Sequence, residues 1–131
     1  MHPVYVHIKK ELSPFYAEEE ASAMAKWISS DILHLSTLEL YTGKDMNFST
    51  KEWAELEDIL RRLKQREPLQ YILQEASFCG MSFHVEQGVL IPRPETEELV
   101  EWIVSDYREA GQVRILDIGT GSGCIPVSLA Q

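Results

Sequence analysis

The run Arg114-Ile115-Leu116-Asp117-Ile118-Gly119-Thr120-Gly121-Ser122-Gly123-Cys124-Ile125 constrains this chain more than any other stretch. An apolar segment empties into a turn with glycine at every second position, and the turn opens a second apolar segment. Glycine tolerates φ > 0 and lacks the Cβ that holds a ligand away from the main chain. The turn at Gly119, Gly121 and Gly123 can therefore wrap closely around a bound molecule. Amides in the first turn of a following helix have no intrahelical partner and can donate to that molecule. Asp117 adds a carboxylate where the apolar segment ends. A strand that feeds a helix through such a turn is the opening unit of a parallel sheet, so Val113–Ile118 is expected as its first strand. The chain reaches Gln131 soon afterwards, so residues 93–131 are expected to be the truncated start of an α/β Rossmann-like domain.

The dinucleotide fingerprint, G-x-G-x-x-G, wants its third glycine at position 124, where Cys124 stands. With Asp117 in front, the string instead reads D-x-G-x-G-x-G. That resembles the first motif of class I S-adenosylmethionine-dependent methyltransferases, whose cofactor has no pyrophosphate. A tight strand-to-helix turn with no ligand is the alternative reading of the glycines alone.

Charge narrows the partners. Residues 1–66 carry nine Lys/Arg against eleven Asp/Glu and residues 67–131 three against ten, so −7 of the net −9 lies in the glycine-turn half. Phosphate-backbone binding depends on clustered Lys and Arg, so direct nucleic-acid binding is not expected and a protein partner is easier to accommodate. No apolar run approaches the roughly 20 residues of a membrane span, and Met1-His2-Pro3-Val4-Tyr5 does not open a signal segment. Cytoplasmic residence is the expectation. Cys79 and Cys124 lack metal-ligand spacing and His2, His7, His34 and His84 are scattered, so no metal site is assigned.

The first half reads as helices. Ala21, Met24, Ala25, Ile28, Ile32 and Leu35 form one apolar face. A capping box at Ser49-Thr50-Lys51-Glu52 opens another helix, with Trp53, Leu56, Ile59, Leu60 and Leu63 on one face. Shorter helices are expected at Val4–Leu12 and Thr37–Tyr41, and the stripes together predict a small helical bundle over 1–67. Arg61, Arg62, Lys64 and Arg66 cluster at a helix C-terminus, where cations complement the dipole. After Pro68 the period changes. Ala76 to Glu86 reads as two strands turning at Gly80, followed by Gly88-Val89-Leu90-Ile91, so 68–92 is expected to be a β-hairpin linker. Pro92-Arg93-Pro94-Glu95-Thr96-Glu97-Glu98 then starts a helix whose Leu99, Val100, Ile103, Val104 and Tyr107 are expected to face inward.

Three stretches in this order and spacing carry a wider resemblance: Glu67-Pro68-Leu69-Gln70-Tyr71-Ile72, then Val89-Leu90-Ile91-Pro92-Arg93-Pro94-Glu95-Thr96-Glu97, then Leu116 to Gly123. They resemble the release-factor glutamine methyltransferase family, its amino-terminal portion, and the P-R-P-E-T-E string is the specific part. The resemblance implies a helical domain before an S-adenosylmethionine-dependent domain that methylates the side-chain amide of the Gly-Gly-Gln glutamine in peptide chain release factors. It implies that Gly119, Thr120, Gly121, Ser122, Gly123 and Asp117 bind the cofactor. By the same resemblance Arg93, Pro94, Glu95, Thr96 and Glu97 close the site, and the helical domain helps to recognise the release factor.

The family's substrate-gripping Asn-Pro-Pro-Tyr motif follows a later strand and is not among these 131 residues, so no catalytic residue is assigned here. An amide nitrogen is a poor nucleophile and needs such a motif to hold it in line with the methyl group. The chain alone is therefore expected to be inactive. Two other readings stand beside this one: an adenine-directed nucleic-acid amino methyltransferase, and a non-catalytic helical protein-binding module.

Overall fold

A computed structural model describes residues 1–43 and 47–131. The chain forms two compact units, Met1–Leu69 and Gln70–Gln131. It is mostly helical, with one small antiparallel sheet.

The first unit contains α1 (Pro3–Leu12), α2 (Glu18–Asp31), α3 (Thr37–Thr42) and α4 (Thr50–Lys64). Proline at the first position of α1 suits a helix start, and the His2 ring caps it by accepting the Val4 N–H at Nδ1, 3.2 Å away. Val4, Tyr5, Ile8 and Leu12 are buried along one face of α1, which packs against both α2 and α4. Ala21 and Ala25 are fully buried and let α1 approach α2 closely, while Ile28 fills the stripe beyond them. Leu56, Ile59, Leu60 and Leu63 close the core from α4. Each large aliphatic side chain so buried contributes about 1.5–3 kcal/mol.

Two details differ from the helical stripes of the sequence. α2 ends at Asp31, and His34 turns the chain with a φ of 54°, so Leu35 is buried from a loop rather than from the helix. Trp53, one turn into α4, is 40% exposed and lies off the buried stripe.

α3 and α4 both begin with a capping box. At α4 the Ser49 hydroxyl accepts the Glu52 N–H at 3.2 Å, and the Glu52 carboxylate accepts the Ser49 N–H at 2.6 Å. The far end of α4 is tied by the basic cluster. Arg61 pairs with Asp58, Arg62 grips Glu67 through two hydrogen bonds of 2.8 and 2.6 Å, Lys64 reaches Glu11, and Arg66 lies over the Tyr16 ring. Tyr16 in turn donates to the Leu63 carbonyl. Lys64 and Arg66 reach across to α1 and the turn after it, whereas Arg61 and Arg62 pair locally with Asp58 and Glu67 at the end of α4.

α5 (Leu69–Leu73) begins at the last residue of the first unit and leads into β1 (Glu75–Phe78) and β2 (Met81–His84) of the second, paired antiparallel with Ala76 opposite Phe83 and Phe78 opposite Met81. The two-residue turn has φ of 49° at Cys79 and 74° at Gly80, the conformation that matches strand twist in a tight hairpin. α6 (Pro94–Tyr107) and α7 (Cys124–Leu129) follow. Phe78, Phe83, Val100 and Cys124 form the core, with the two phenyl rings edge to face at 6.2 Å.

The expected strand at Val113–Ile118 is not formed, and the sheet among the described residues is the hairpin alone. A strand is stabilised by pairing and by covered faces, and this segment has neither: Leu116 is 84% and Ile118 86% exposed. For the same reason α6 buries Val100 alone, and Leu99, Val104 and Tyr107, expected inward, are exposed. Gly88–Ile91 is likewise a turn and irregular backbone, with Val89 N–H bonded to the Glu86 carbonyl.

Acid should weaken the first unit. The Lys64 hydrogen bond holds Glu11, the Ser49 backbone N–H holds Glu52 and the Arg62 side chain holds Glu67 below the ordinary carboxyl value of 4.5. A carboxyl depressed on folding stabilises the fold above its unfolded value, and that stabilisation is lost as pH falls through the folded value. The urea midpoint should therefore be flat above about pH 5 and fall below it, more shallowly in Glu67→Gln. A midpoint unchanged by acid would contradict this. Ser49→Ala, which removes the cap of α4, should cost about 1 kcal/mol in the same unfolding measurement.

Candidate functional site

The glycine turn has the backbone its composition requires. Gly119, Gly121 and Gly123 have φ of 73°, 57° and 81°. Gly123 N–H closes the turn on the Thr120 carbonyl at 2.9 Å, and the Gly123 carbonyl accepts the Val127 N–H at 3.1 Å as α7 begins. A Cβ built on Gly119 or Gly121 meets nothing within 4 Å. Within this chain, then, glycine is demanded there by backbone conformation, and the main chain of the turn stays open to approach by a ligand.

Polar atoms line the same turn. Asp117 Oδ2 and Ser122 Oγ are covered and have no hydrogen-bond partner among the described residues. Buried polar groups are ordinarily satisfied, so a polar molecule cradled by the turn fits this donor and acceptor set. Thr120 is exposed beside them.

The P-R-P-E-T-E segment is divided by the start of α6. Arg93 is the N-cap residue in extended conformation, Pro94 is the first helical residue, and the Thr96 N–H bonds to the Arg93 carbonyl. Arg93, Pro94 and Glu95 are exposed, whereas Thr96 and Glu97 are half-buried. Glu97 reaches the hairpin, where its carboxylate accepts the Cys79 N–H at 3.0 Å. Sequence reasoning missed this contact and also the Tyr71 hydroxyl, which donates to the Val89 carbonyl at 2.6 Å. Neither pair has a spacing signature, since each joins residues 18 apart through tertiary packing.

An open trough of about 770 Å³ runs between α6 and the extended segment, lined by Ile103, Val104, Tyr107, Ile115, Leu116 and Leu129. Arg108, Arg114, Ser128 and Gln131 line it as well, so its wall is mixed, with exposed Val104 and Leu116 among the apolar members. Both cysteines are free thiols. Burial pushes the Cys79 thiol above its ordinary value, and the nearby carboxylates of Glu97 and Glu101 push it further the same way. A protonated thiol is a poor nucleophile, and the half-buried Cys79 side chain packs against the cluster of Phe78, Phe83, Val100 and Cys124.

With this geometry in place, comparison with known proteins defines the class. Residues 5–73 match the family of the PrmC N-terminal domain, and the chain belongs to that family. It is similar to the release factor glutamine methyltransferase of Bacteroides thetaiotaomicron, 47% identical over 129 residues that cover 98% of this chain and 46% of the relative. The enzyme of the same name from Flavobacterium psychrophilum is 40% identical over 123 residues, covering 92% of this chain and 43% of the relative. That of Geobacter sulfurreducens is 42% identical over 113 residues, 86% of this chain and 39% of the relative. The chain thus spans less than half the length of these relatives.

Cys79 should alkylate with iodoacetamide at pH 8 about tenfold more slowly than free cysteine, because so little thiolate is present. Glu101→Gln, which removes one of the opposing charges, should speed the reaction. Labelling at the free-cysteine rate would contradict the protonated, packed thiol.

Proposed function

We propose that this chain is the amino-terminal part of an S-adenosylmethionine-dependent protein glutamine N-methyltransferase, acting on the Gly-Gly-Gln glutamine of peptide chain release factors. The observation that carries the reading is the glycine turn: three consecutive alternate glycines at positive φ behind Asp117, in a chain similar along nearly its whole length to enzymes of that name.

In this reading residues 1–67 are a helical bundle that helps to recognise the release factor, residues 68–92 a hairpin linker, and residues 93–131 the start of a Rossmann-like cofactor domain. Gly119, Gly121 and Gly123 bring the backbone against the cofactor, whose sulfonium supplies an electrophilic methyl group when bound. Thr120 and Ser122 would line the cofactor with the glycines, and Asp117 would hold the turn in place beneath it. Arg93, Pro94, Glu95, Thr96 and Glu97 close the site. The positioning of the substrate amide falls to residues outside this chain, so the 131 residues alone do not catalyse transfer.

The acidic second half supports a protein substrate over a nucleic acid, because ten Asp/Glu against three Lys/Arg repel a phosphate backbone. No helix among the described residues is long and apolar enough to cross a membrane, which is compatible with work in the cytoplasm beside the translation machinery.

Calorimetric titration of the full-length protein with S-adenosylmethionine should show one site, weakened about tenfold or more by Gly121→Val, since valine is strained at positive φ and its side chain fills the approach. Unchanged affinity in that variant would remove the turn from the site. The isolated 131-residue chain should show no methyl transfer, and turnover by it would overturn the assignment of substrate positioning to residues elsewhere.

A further inference from the structure

The Glu97 carboxylate is spent on the hairpin. It accepts the N–H of Cys79, the first residue of the β1–β2 turn, at 3.0 Å. In a two-residue hairpin turn the positive-φ positions favour asparagine, aspartate or glycine, and Cys79 at φ 49° is none of these. The hydrogen bond that the Glu97 side chain accepts from that amide ties α6 to a turn whose own side chain does not favour its conformation.

The contact belongs to a larger path. One turn along α6, on the same face as Glu97, Val100 is buried among Phe78, Phe83 and Cys124. Phe78 immediately precedes the Cys79 turn, and Cys124 immediately follows Gly123, the last glycine of the cofactor turn. Glu97 fixes α6 against one end of this cluster, and Cys124 carries the glycine turn at the other. A shift of α6 along the hairpin therefore moves the support beneath Gly123.

We propose that Glu97 is a positioning residue for the glycine turn, acting through the hairpin and the Val100 contact without touching the cofactor. This rests on the cofactor role proposed above for the turn and gives one residue of the P-R-P-E-T-E segment a specific task. The reach of the side chain carries that task. Gln at position 97 keeps an oxygen at the same distance, whereas Asp keeps the charge and the helix-start preference but is one methylene too short.

The test compares Glu97→Gln and Glu97→Asp in the full-length protein by backbone hydrogen exchange without ligand and by S-adenosylmethionine titration. In Glu97→Asp, exchange should accelerate about tenfold at the Cys79 amide and at the Gly123 amide that closes the glycine turn, with the Kd for S-adenosylmethionine raised about tenfold. Glu97→Gln, which keeps an acceptor oxygen at the same reach, should restore most of the protection and affinity lost in Glu97→Asp. The proposal is overturned if Glu97→Asp loosens Cys79 but leaves residues 119–124 and cofactor affinity unchanged, which makes Glu97 a hairpin cap alone. It is equally overturned if Gln loses affinity and Asp keeps it, since charge would then be the requirement. Failure of the unaltered protein to bind S-adenosylmethionine would sink the proposed function, while exchange at residues 119–124 would still decide whether Glu97 holds the turn.

Discussion

The second unit depends on one small apolar contact, the burial of Val100 and Cys124 against Phe78 and Phe83. Hairpin, α6 and α7 each contribute to it, and neither the hairpin nor α7 is long enough to be stable alone: two four-residue strands and a six-residue helix fall well short of independent folding. The glycine turn inherits its place from Cys124. Its own residues are largely exposed and make few contacts, so its shape comes from glycine φ values and its location from the core behind it. This division suits a ligand cradle, where the surface facing the ligand stays open and rigidity is supplied from the opposite side.

The first unit is held differently. Regular burial along α1, α2 and α4 gives it a continuous core, hydrogen bonds from Tyr16 and Lys64 tie the end of α4 back onto the bundle, and Arg62 binds Glu67 just past that end. Those charged contacts lie near the surface and contribute modestly one by one. Their value here is in fixing where α4 ends, because Arg66 at φ 67° breaks the helix just past the paired residues. A basic cluster that could be taken for a binding patch is therefore occupied by the fold.

What was legible in the sequence followed from local physics. The capping box at Ser49 and Glu52, the stripe from Leu56 to Leu63, the hairpin pivot at Gly80 and the positive-φ glycines are each dictated by a few neighbouring residues, and each appears where the pattern places it. Other features needed partners that a local reading cannot supply. Val113–Ile118 has strand composition but no neighbouring strand, and Leu99, Val104 and Tyr107 have helical periodicity but no layer above them, so both stay exposed. Leu35 continued a stripe in register and left the helix because His34 turns the chain. Of the candidate site, the turn was readable from glycine spacing, whereas the Glu97 contact with Cys79 depends on tertiary approach and has no counterpart in local pattern.

The open trough and the glycine turn both fit the proposed function, in which residues 93–131 are the start of a cofactor domain. The chemistry proposed for the whole protein is tested most directly by incubating the full-length protein with labelled S-adenosylmethionine and a peptide chain release factor, followed by peptide mass spectrometry. The account predicts one added methyl group on the glutamine of Gly-Gly-Gln and none when that glutamine is replaced. Methyl transfer to adenine in nucleic acid, or no transfer to the release factor at all, would contradict it.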